Sequence, residues 1–257
     1  IMQFCSLGSG SQGNSFLVRD DNSYILIDCG FGLAETEKRL ERHQINPNDI
    51  NAILLTHEHE DHVKGAFSLS NKYELPIYLT HGTYRMCEKR NKSSFNIDFK
   101  FIVNKKIFNI NSLSITPITV PHDAREPVQF KFVTKESNFA IITDLGFGSE
   151  YLLKSISNLN SIVIECNHEH ELLDKSDYPE TLKNRIGGKY GHLNNKEAAR
   201  ILKSLKKNNL NFIGAAHLSK KNNDPNLVKR DLSSAVDKDE SFIKIIDQDD
   251  GLNWTTV

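Results

Sequence analysis

Short apolar runs separated by turn-forming residues dominate the start of the chain and predict a series of strands. The predicted strands here are Gln3–Leu7, Ser15–Arg19 and Tyr24–Asp28. The spacing then changes to that of a surface helix over Leu33–Gln44, and Asn46-Pro47 follows as a stop signal. The apolar run Ala52–Leu55 predicts a buried strand directly after it.

The rest of the chain continues this alternation. Further helices are predicted at Val63–Asn71, Gly82–Lys89 and Lys196–Lys207. Further strands are predicted at Ile77–Leu79, Phe99–Val103, Leu113–Val120, Val128–Thr134, Phe139–Thr143, Ile162–Glu165, Phe212–Ala216, Phe242–Asp247 and Leu252–Thr255. Strands precede helices in both halves, and neither a clear repeat nor a linker divides the chain. We therefore expect one domain over residues 1–257, with two sheets face to face and helices outside.

Composition and charge describe an ordinary globular protein. The chain has 257 residues, 38% of them hydrophobic, and a net charge of -1. No N-terminal stretch has the residue order of a signal peptide, and no apolar run approaches the ~18 residues of a membrane span. We expect a cytoplasmic protein without a membrane contact. The four cysteines contain no CxxC pair, which favours reduced thiols over a disulfide framework or a structural zinc knuckle.

The segment after Ala52–Leu55 carries the strongest chemical signal. Residues 56–62 read Thr-His-Glu-His-Glu-Asp-His, so that three imidazoles and several carboxylates fall within one short loop. Imidazole nitrogens and carboxylate oxygens suit borderline divalent ions, and this density predicts a site for two of them. A histidine-rich surface loop is the alternative. It is disfavoured because histidine is scarce elsewhere and the preceding strand has a buried pattern.

Three further residues stand just after predicted strands, where loops converge. They are His122, Asp144 and His217. Each alone is more typical of a helix cap or a satisfied polar group. Their shared position changes that balance and predicts two groups of ligands bridged by Asp144. The first predicted group is His57, His59 and His122, and the second is Asp61, His62 and His217.

Residues 8–13, Gly-Ser-Gly-Ser-Gln-Gly, match the dinucleotide-binding fingerprint, and Asp28 lies at a suitable distance downstream. The fingerprint requires a helix after its last glycine, whereas Asn14–Arg19 continues as a strand. We therefore expect a tight turn between two strands. A lesser alternative is that Ser9, Ser11 or Asn14 contacts a substrate phosphate.

This set of ligands resembles the metallo-β-lactamase-fold hydrolases, whose signature H-x-H-x-D-H is followed by His, Asp and His at strand ends. The resemblance spans nearly the whole chain and implies an α/β fold of four layers, an αββα sandwich, with a dinuclear site at one edge. Zinc β-lactamases place a cysteine where this chain has Asp144, so antibiotic hydrolysis is disfavoured. Glyoxalase-type thioesterases share the bridging aspartate.

Four further segments are similar to a nuclease branch of that superfamily. They are residues 121–124 (Pro-His-Asp-Ala), 165–169 (Glu-Cys-Asn-His-Glu), 191–195 (Gly-His-Leu-Asn-Asn) and 216–219 (Ala-His-Leu-Ser). The last three resemble ribonuclease Z, and all four, with residues 8–11, are closer to the YycJ/WalJ group of bacterial DNA exonucleases. The likeness to ribonuclease Z implies that His192 protonates the leaving oxygen and that Glu165 orients the imidazole of His192. An ordinary helix N-terminus with a capping box, Asn194 to Glu197, is the alternative for His192. Asn167 and His168 are weaker candidates for substrate binding.

The resemblance also implies a mechanism. Two divalent ions, manganese or zinc, acidify a bridging water, and the resulting hydroxide attacks phosphorus in line, while Asp61 orients that water. The exonuclease group implies 5′-3′ digestion of duplex DNA ends in DNA repair. The long glycine-rich arm of ribonuclease Z is absent from this sequence, which disfavours tRNA maturation. An RNA-processing nuclease, a small-molecule phosphodiesterase or thioesterase, and a regulatory metal-binding protein without turnover remain alternatives.

A protein with a pI near 6.9 has no global basic footprint for nucleic acid. Local clusters of basic residues would have to bind the nucleic acid. The sequence does not indicate an oligomeric state. The candidate clusters are Arg85, Lys89, Arg90 and Lys92; Lys203, Lys206 and Lys207; and Lys220 and Lys221. The first two are more typical of a solvated face. Lys220 and Lys221 are expected to border the cleft because they follow His217 by three and four residues.

Overall fold

The computed structural model describes residues 1–21, 23–90, 96–205 and 210–257, with Arg90 by its backbone alone. Within these ranges the strands form two seven-stranded sheets. Helices begin where a strand has ended and return the chain to the start of the next strand. No helix in the described ranges has both the length and the apolar character that crossing a membrane requires.

The first sheet has the order β14-β1-β2-β3-β4-β5-β6. Its strands are β1 (Gln3–Gly8), β2 (Ser15–Asp20), β3 (Ser23–Ile27), β4 (Ala52–Leu54), β5 (Ile77–Leu79), β6 (Phe99–Phe101) and β14 (Leu252–Thr256). The first three pair antiparallel through tight turns, whereas β3 to β6 run parallel. Parallel neighbours need crossover connections. The helices in these connections are α1 (Leu33–Arg42), α2 (Glu60–Val63), α3 (Ala66–Tyr73) and α4 (His81–Arg90).

The second sheet has the order β13-β12-β11-β10-β9-β8-β7. Its strands are β7 (Phe108–Ile110), β8 (Leu113–Thr119), β9 (Val128–Val133), β10 (Asn138–Ile142), β11 (Ser161–Glu165), β12 (Phe212–Ala216) and β13 (Ile243–Ile245). The strands β7 to β10 pair antiparallel, and β10 to β13 run parallel. The helices of this half are α5 (Glu150–Ser155), α6 (His170–Lys175), α7 (Glu180–Ile186), α8 (Asn195–Leu205) and α9 (Pro225–Val236).

The core lies in three apolar layers. The middle layer joins the two sheets, and there the ring of Phe4 packs 4.8 Å from that of Phe139 and 5.1 Å from that of Phe212, measured between centroids. Two outer layers fill the space between each sheet and its helices. Strands buried on both faces read as continuous apolar runs, as in Ile162–Ile164. The predicted four-layer αββα sandwich is confirmed.

Most predicted elements are observed with shifted boundaries, and two shifts affect the site. The predicted helix Val63–Asn71 overlaps the last residue of α2 and most of α3; Gly65 lies between the two helices, where a Cβ atom would be 2.2 Å from the carbonyl oxygen of Phe31. The predicted strand Tyr24–Asp28 ends at Ile27, since Asp28 adopts a left-handed backbone with φ of 57°. In the predicted helix Lys196–Lys207, α8 reaches Leu205, and Lys206 and Lys207 lie outside the described residues.

Within the part of the chain that the structure describes, one strand and four α-helices lie outside every predicted element. They are β7, α5, α6, α7 and α9. The strand β7 has only three residues, and all seven residues of α7 remain at least partly exposed, so neither produces an apolar pattern. The apolar spacing of Val228, Leu232 and Val236 on α9 is a helical signal that could have been used.

Candidate metal centre

The carboxyl ends of the parallel strands in both sheets bring polar residues to one edge of the sandwich. Asp28 follows β3, the loop 55–62 follows β4, and Asp144 and His217 follow β10 and β12. Asp28, Asp144 and His217 leave their strands in the left-handed backbone region, with φ of 57°, 54° and 56°. Such a conformation costs about 1–3 kcal/mol at a non-glycine residue and is concentrated at functional sites.

One group of donors consists of His57, His59 and His122. The Nε2 atoms of His57 and His122 lie 3.1 and 3.2 Å from Nδ1 of His59. A metal with bonds of ~2.0–2.1 Å to nitrogen places neighbouring tetrahedral ligands ~3.3 Å apart. The three nitrogens therefore have the mutual spacing of ligands to one ion.

A second group consists of Asp61, His62 and His217. The Oδ2 atom of Asp61 lies 3.6 Å from Nε2 of both histidines. Asp144 lies between the groups, and its Oδ2 atom is 3.4 Å from Nε2 of His62 and close to His57. That oxygen is buried and makes no hydrogen bond to any described residue. A buried carboxylate oxygen without a donor is costly unless a cation neutralises it, so this donor set fits divalent metal ions.

The electrostatics of the two groups differ. Burial lowers the pKa of His57 well below its usual range, which leaves a neutral ligand. Burial also acts to lower the pKa of His62 and His217, but neighbouring carboxylates, Asp144 first, raise it well above the usual range for His62 and to about 10 for His217. These buried carboxylates thus require compensating positive charge. Metal ions would supply it and leave both imidazoles neutral.

Asp28 supports the centre from behind. Its Oδ2 atom accepts a 2.7 Å hydrogen bond from Nδ1 of His62, and the backbone N–H and hydroxyl of Thr56 donate to its two oxygens at 2.8 Å each. This acceptor fixes the imidazole with Nε2 towards the site. Sequence reasoning used Asp28 only as part of a dinucleotide fingerprint. Its position directly after a buried strand is the signal that could have assigned it to the site.

The other imidazoles are held in the same way. Nδ1 of His122 donates to the carbonyl of Gly191 at 3.0 Å, and Nδ1 of His57 donates to the Thr56 hydroxyl at 2.9 Å. Each ring thereby directs Nε2 towards the centre. The tautomers of His57 and His122 thus suit metal ligands.

The glycine-rich segment is the predicted turn between β1 and β2, and it packs against the metal centre. The Ser9 hydroxyl donates to Oδ1 of Asn14 at 2.9 Å and accepts the backbone N–H of His217 at 3.0 Å. The Asn14 amide donates to Oδ2 of Asp61 at 3.3 Å. Of the three residues considered for phosphate contact, Ser9 and Asn14 are buried, and Ser11 is in the described lining of the cavity in front of the metal centre.

Glu165 links the second group to His192. Its Oε1 atom accepts from Nδ1 of His192 and from Nδ1 of His217, both at 2.8 Å. Burial raises the pKa of Glu165, but the two imidazoles, His192 first, outweigh that effect and lower it to about 2. Burial lowers the pKa of His192, and the Glu165 carboxylate overcomes it and raises the pKa above the usual value.

The segment around His192 leads into α8, as the capping alternative predicted, and the Oδ1 atom of Asn194 accepts the backbone N–H of Glu197 at 2.9 Å. The Glu197 carboxylate accepts from Gly148 instead of completing a reciprocal capping box. The ring of His192 is 23% exposed and lines the cavity.

A cavity of about 430 Å³ opens in front of these groups. One wall comes from α7 and the segments beside it. Two of the lining residues form an ion pair, with Nε of Arg185 2.7 Å from Oδ2 of Asp123. The lining residues include Ser11, His59, Asp61, Asp123, Asp144, Asn167, Tyr178, Arg185, His192, His217 and Ser219.

The residues predicted to bind substrate lie outside that lining. Lys220 pairs with Asp249 at 2.7 Å, and Lys221 pairs with Asp177. His168 is 1% exposed, and its ring nitrogens make no hydrogen bond to the described residues. The chain neighbours Ser219 and Asn167 line the cavity in their place. Of the other basic clusters, Arg85, Lys89 and Lys203 are exposed, Lys92 lies outside the described residues with Lys206 and Lys207, and of Arg90 only the backbone is described.

Fold and site together define a metallo-β-lactamase-fold hydrolase. Residues 23–214 match the family model of the beta-lactamase superfamily domain. Over 238 residues the chain is 33% identical to exodeoxyribonuclease YycJ of Bacillus anthracis, which covers 92% of this chain and 90% of that protein. Over 227 residues it is 32% identical to exodeoxyribonuclease WalJ of Streptococcus pneumoniae, with coverage of 86% and 83%. The chain belongs to the beta-lactamase superfamily and, within it, to the family of these exodeoxyribonucleases, as its motifs predicted.

Among solved structures, the metallo-β-lactamase fold protein YhfI from Bacillus subtilis has a TM-score of 0.77 to this chain. The two chains are 16% identical, and the similarity covers 99% of this chain and 98% of that one. This similarity shows the fold.

Proposed function

We propose that this protein is a 5′-3′ DNA exonuclease that hydrolyses phosphodiester bonds at a dinuclear metal centre. The observation that carries the proposal is the Glu165 carboxylate, which holds both His217 of the second donor group and the cavity-facing His192. In this proposal His192 is the proton donor beside the metal-binding residues that the departure of an alkoxide leaving group requires. The relatives that match most of this chain are named exodeoxyribonucleases, and this similarity supports DNA as the substrate.

The ligands proposed for the first ion are His57, His59 and His122, those for the second are Asp61, His62 and His217, and Asp144 is shared. Bound divalent ions would acidify a water and neutralise charge that develops on the phosphoryl oxygens. Asp61 lines the cavity and is held by the Asn14 amide. Its carboxylate accepts a hydrogen bond from the attacking water and orients it towards phosphorus.

His192 acts on the other side of the phosphorus atom. Its Nδ1–H is donated to Glu165, so Nε2 carries the proton that reaches the departing sugar oxygen. The Glu165 carboxylate raises the pKa of this imidazole and so favours its protonated form. Glu165 makes no contact with substrate in this scheme; it positions His192 and stabilises its charged form.

The proposed biological setting is the cytoplasm. The four cysteines are buried thiols, which is consistent with a reducing, cytoplasmic environment. The shared apolar layer between the sheets supports a single domain. A role in DNA repair follows from the proposed activity on duplex ends.

The test uses metal-stripped protein with manganese or zinc restored. Duplex DNA labelled at either the 5′ or the 3′ end, single-stranded DNA and RNA are compared as substrates, together with the variant Asp61→Asn. Asp49→Asn, which changes an exposed aspartate before β4, is the matched control. Metal-dependent loss of the 5′ label that persists in the control and disappears in Asp61→Asn supports the proposal. Hydrolysis of a simple phosphodiester or thioester without any cleavage of nucleic acid would overturn it.

A further inference from the structure

A second cavity, of about 860 Å³, lies between α4 and the loop that follows β8. This loop, residues 121–127, lies between the second cavity and the metal centre. His122 belongs to the metal centre, and Arg125 lines the second cavity. The residues that line the second cavity are His81, Gly82, Arg85, Met86, Lys89, Arg125 and Glu126.

The cavity carries an excess of positive charge. Three of its side chains, Arg85, Lys89 and Arg125, are basic, and Glu126 is the one carboxylate among the described lining residues. Glu126 is already engaged by a backbone N–H in the first turn of α4. Arg85 forms an exposed ion pair with Glu88 at 3.3 Å, and an exposed pair of this kind contributes little to stability. No described carboxylate lies within 4.0 Å of the side-chain nitrogens of Lys89 or Arg125.

The loop is fixed to the metal-binding segment. Glu58, which lies between two of the predicted ligands in the sequence, is buried, and its Oε1 atom accepts the backbone N–H of Arg125 at 2.8 Å. The Thr80 hydroxyl donates to the carbonyl of Glu126 at 3.0 Å, and the carbonyl of Thr56 accepts the N–H of Val128 at 3.0 Å. Hydrogen bonds therefore connect the loop that lines the second cavity to the segment that carries the candidate metal ligands.

An aromatic surface adjoins the cations. The ring of His81 stacks on Phe101 with centroids 3.9 Å apart and planes inclined by 8°, and Tyr84 packs edge-on against the same ring at 5.3 Å. Phe101 remains 43% exposed. Cations that follow a phosphate backbone, with exposed rings beside them, are the combination that binds nucleic-acid strands.

We infer that this cavity binds the phosphodiester backbone of the DNA substrate at a distance from the scissile bond, with Arg85, Lys89 and Arg125 as its phosphate contacts. The inference rests on the proposed nuclease function and gives the metal centre a second point of attachment to long substrates. A substrate too short to reach both sites should be hydrolysed independently of these cations.

The test replaces all three cations by alanine (R85A, K89A and R125A) in the metal-loaded enzyme. The control replaces the exposed Lys135, Lys238 and Lys244 by alanine, which produces the same change in net charge away from the cavity. The measurements are kcat and KM on a duplex of thirty base pairs, their dependence on salt, and hydrolysis of bis(p-nitrophenyl) phosphate. We expect the cavity variant to raise KM for the duplex roughly tenfold or more and to reduce the slope of log(kcat/KM) against log[salt] by about 2–3, one for each lost phosphate contact. Hydrolysis of the small phosphodiester should be unchanged.

The outcomes separate the two proposals. If the unaltered enzyme cleaves DNA and the cavity variant matches the control, the inference is wrong and the proposed function stands. An unaltered enzyme that hydrolyses the small phosphodiester but neither binds nor cleaves nucleic acid overturns both. If the triple variant also loses hydrolysis of the small phosphodiester, the double variant R85A/K89A, on the exposed face of α4, decides by the same criteria.

Discussion

The Nδ1 atom of His62 lies 2.7 Å from Oδ2 of Asp28, and both side chains are almost completely buried. Asp28 directly follows β3, and His62 lies in α2 after β4; these two neighbouring parallel strands have their carboxyl ends at the candidate metal centre. A hydrogen bond of this kind orients an imidazole and increases its basicity as a ligand.

Substitution of Asp28 by Asn is therefore expected to weaken metal binding by 10–100-fold. The amide lacks the negative charge that stabilises the bound imidazole, although it preserves the shape of the side chain. Metal affinity measured by competition with a chromogenic chelator checks this, with the exposed Asp21→Asn as control. Equal affinity of the two variants would remove Asp28 from the site.

His192→Ala should have an effect that depends on the leaving group. With DNA, whose departing alkoxide needs a proton, we expect kcat to fall by about 10²–10⁴. With bis(p-nitrophenyl) phosphate, whose phenolate leaves without protonation, the decrease should be small. Glu165→Gln should show this selectivity in weaker form together with a loss on both substrates, since Glu165 holds His217 of the second donor group as well as His192. Equal losses on both substrates would indicate a structural role for His192.

Gly30→Ala should disturb the second donor group. A Cβ atom at this position would lie 1.8 Å from the carbonyl oxygen of Asp61, so the backbone must move. We expect a loss of about 1–3 kcal/mol in the free energy of unfolding and a lower affinity for the second ion. Gly32→Ala is the matched control, because a Cβ atom there meets nothing within 4 Å. Urea denaturation of both variants measures the difference.

The metal-free protein should become less stable as pH rises above neutrality. The pKa of His217 is raised in the folded state to about 10 from a usual value of 6.5, so the folded state binds a proton that the unfolded state has released. Stability from this group is complete below pH 6.5 and is lost as pH rises towards 10. Thermal denaturation in the presence of a chelator should show this decrease. Metal-loaded protein, whose His217 is neutral, should lack it, and metal affinity should rise over the same interval.

Much of the site could be predicted because its signals are local. The residues 57, 59, 61 and 62 lie in one loop, and the structure brings His122, Asp144 and His217 to them from the ends of other strands. Alternation of apolar runs with turn residues likewise indicated most of the strands. Boundaries at Asp28 and Gly65 could not be predicted, because a left-handed backbone and a close backbone approach respond to neighbours distant in the sequence.

The contribution of the sequence by itself is thus the superfamily, the four-layer architecture and the proposed ligands, since periodicity and the spacing of ligand side chains are properties of short segments. The tertiary structure decided which residues support and extend the centre. Ser9 contacts the backbone of His217 across 208 positions, and Arg125 is placed by Glu58 across 67. These partners depend on how two sheets pack face to face, and so does the cationic cavity beside α4. Burial of the shared apolar layer fixes that packing, and no short segment of the chain records it.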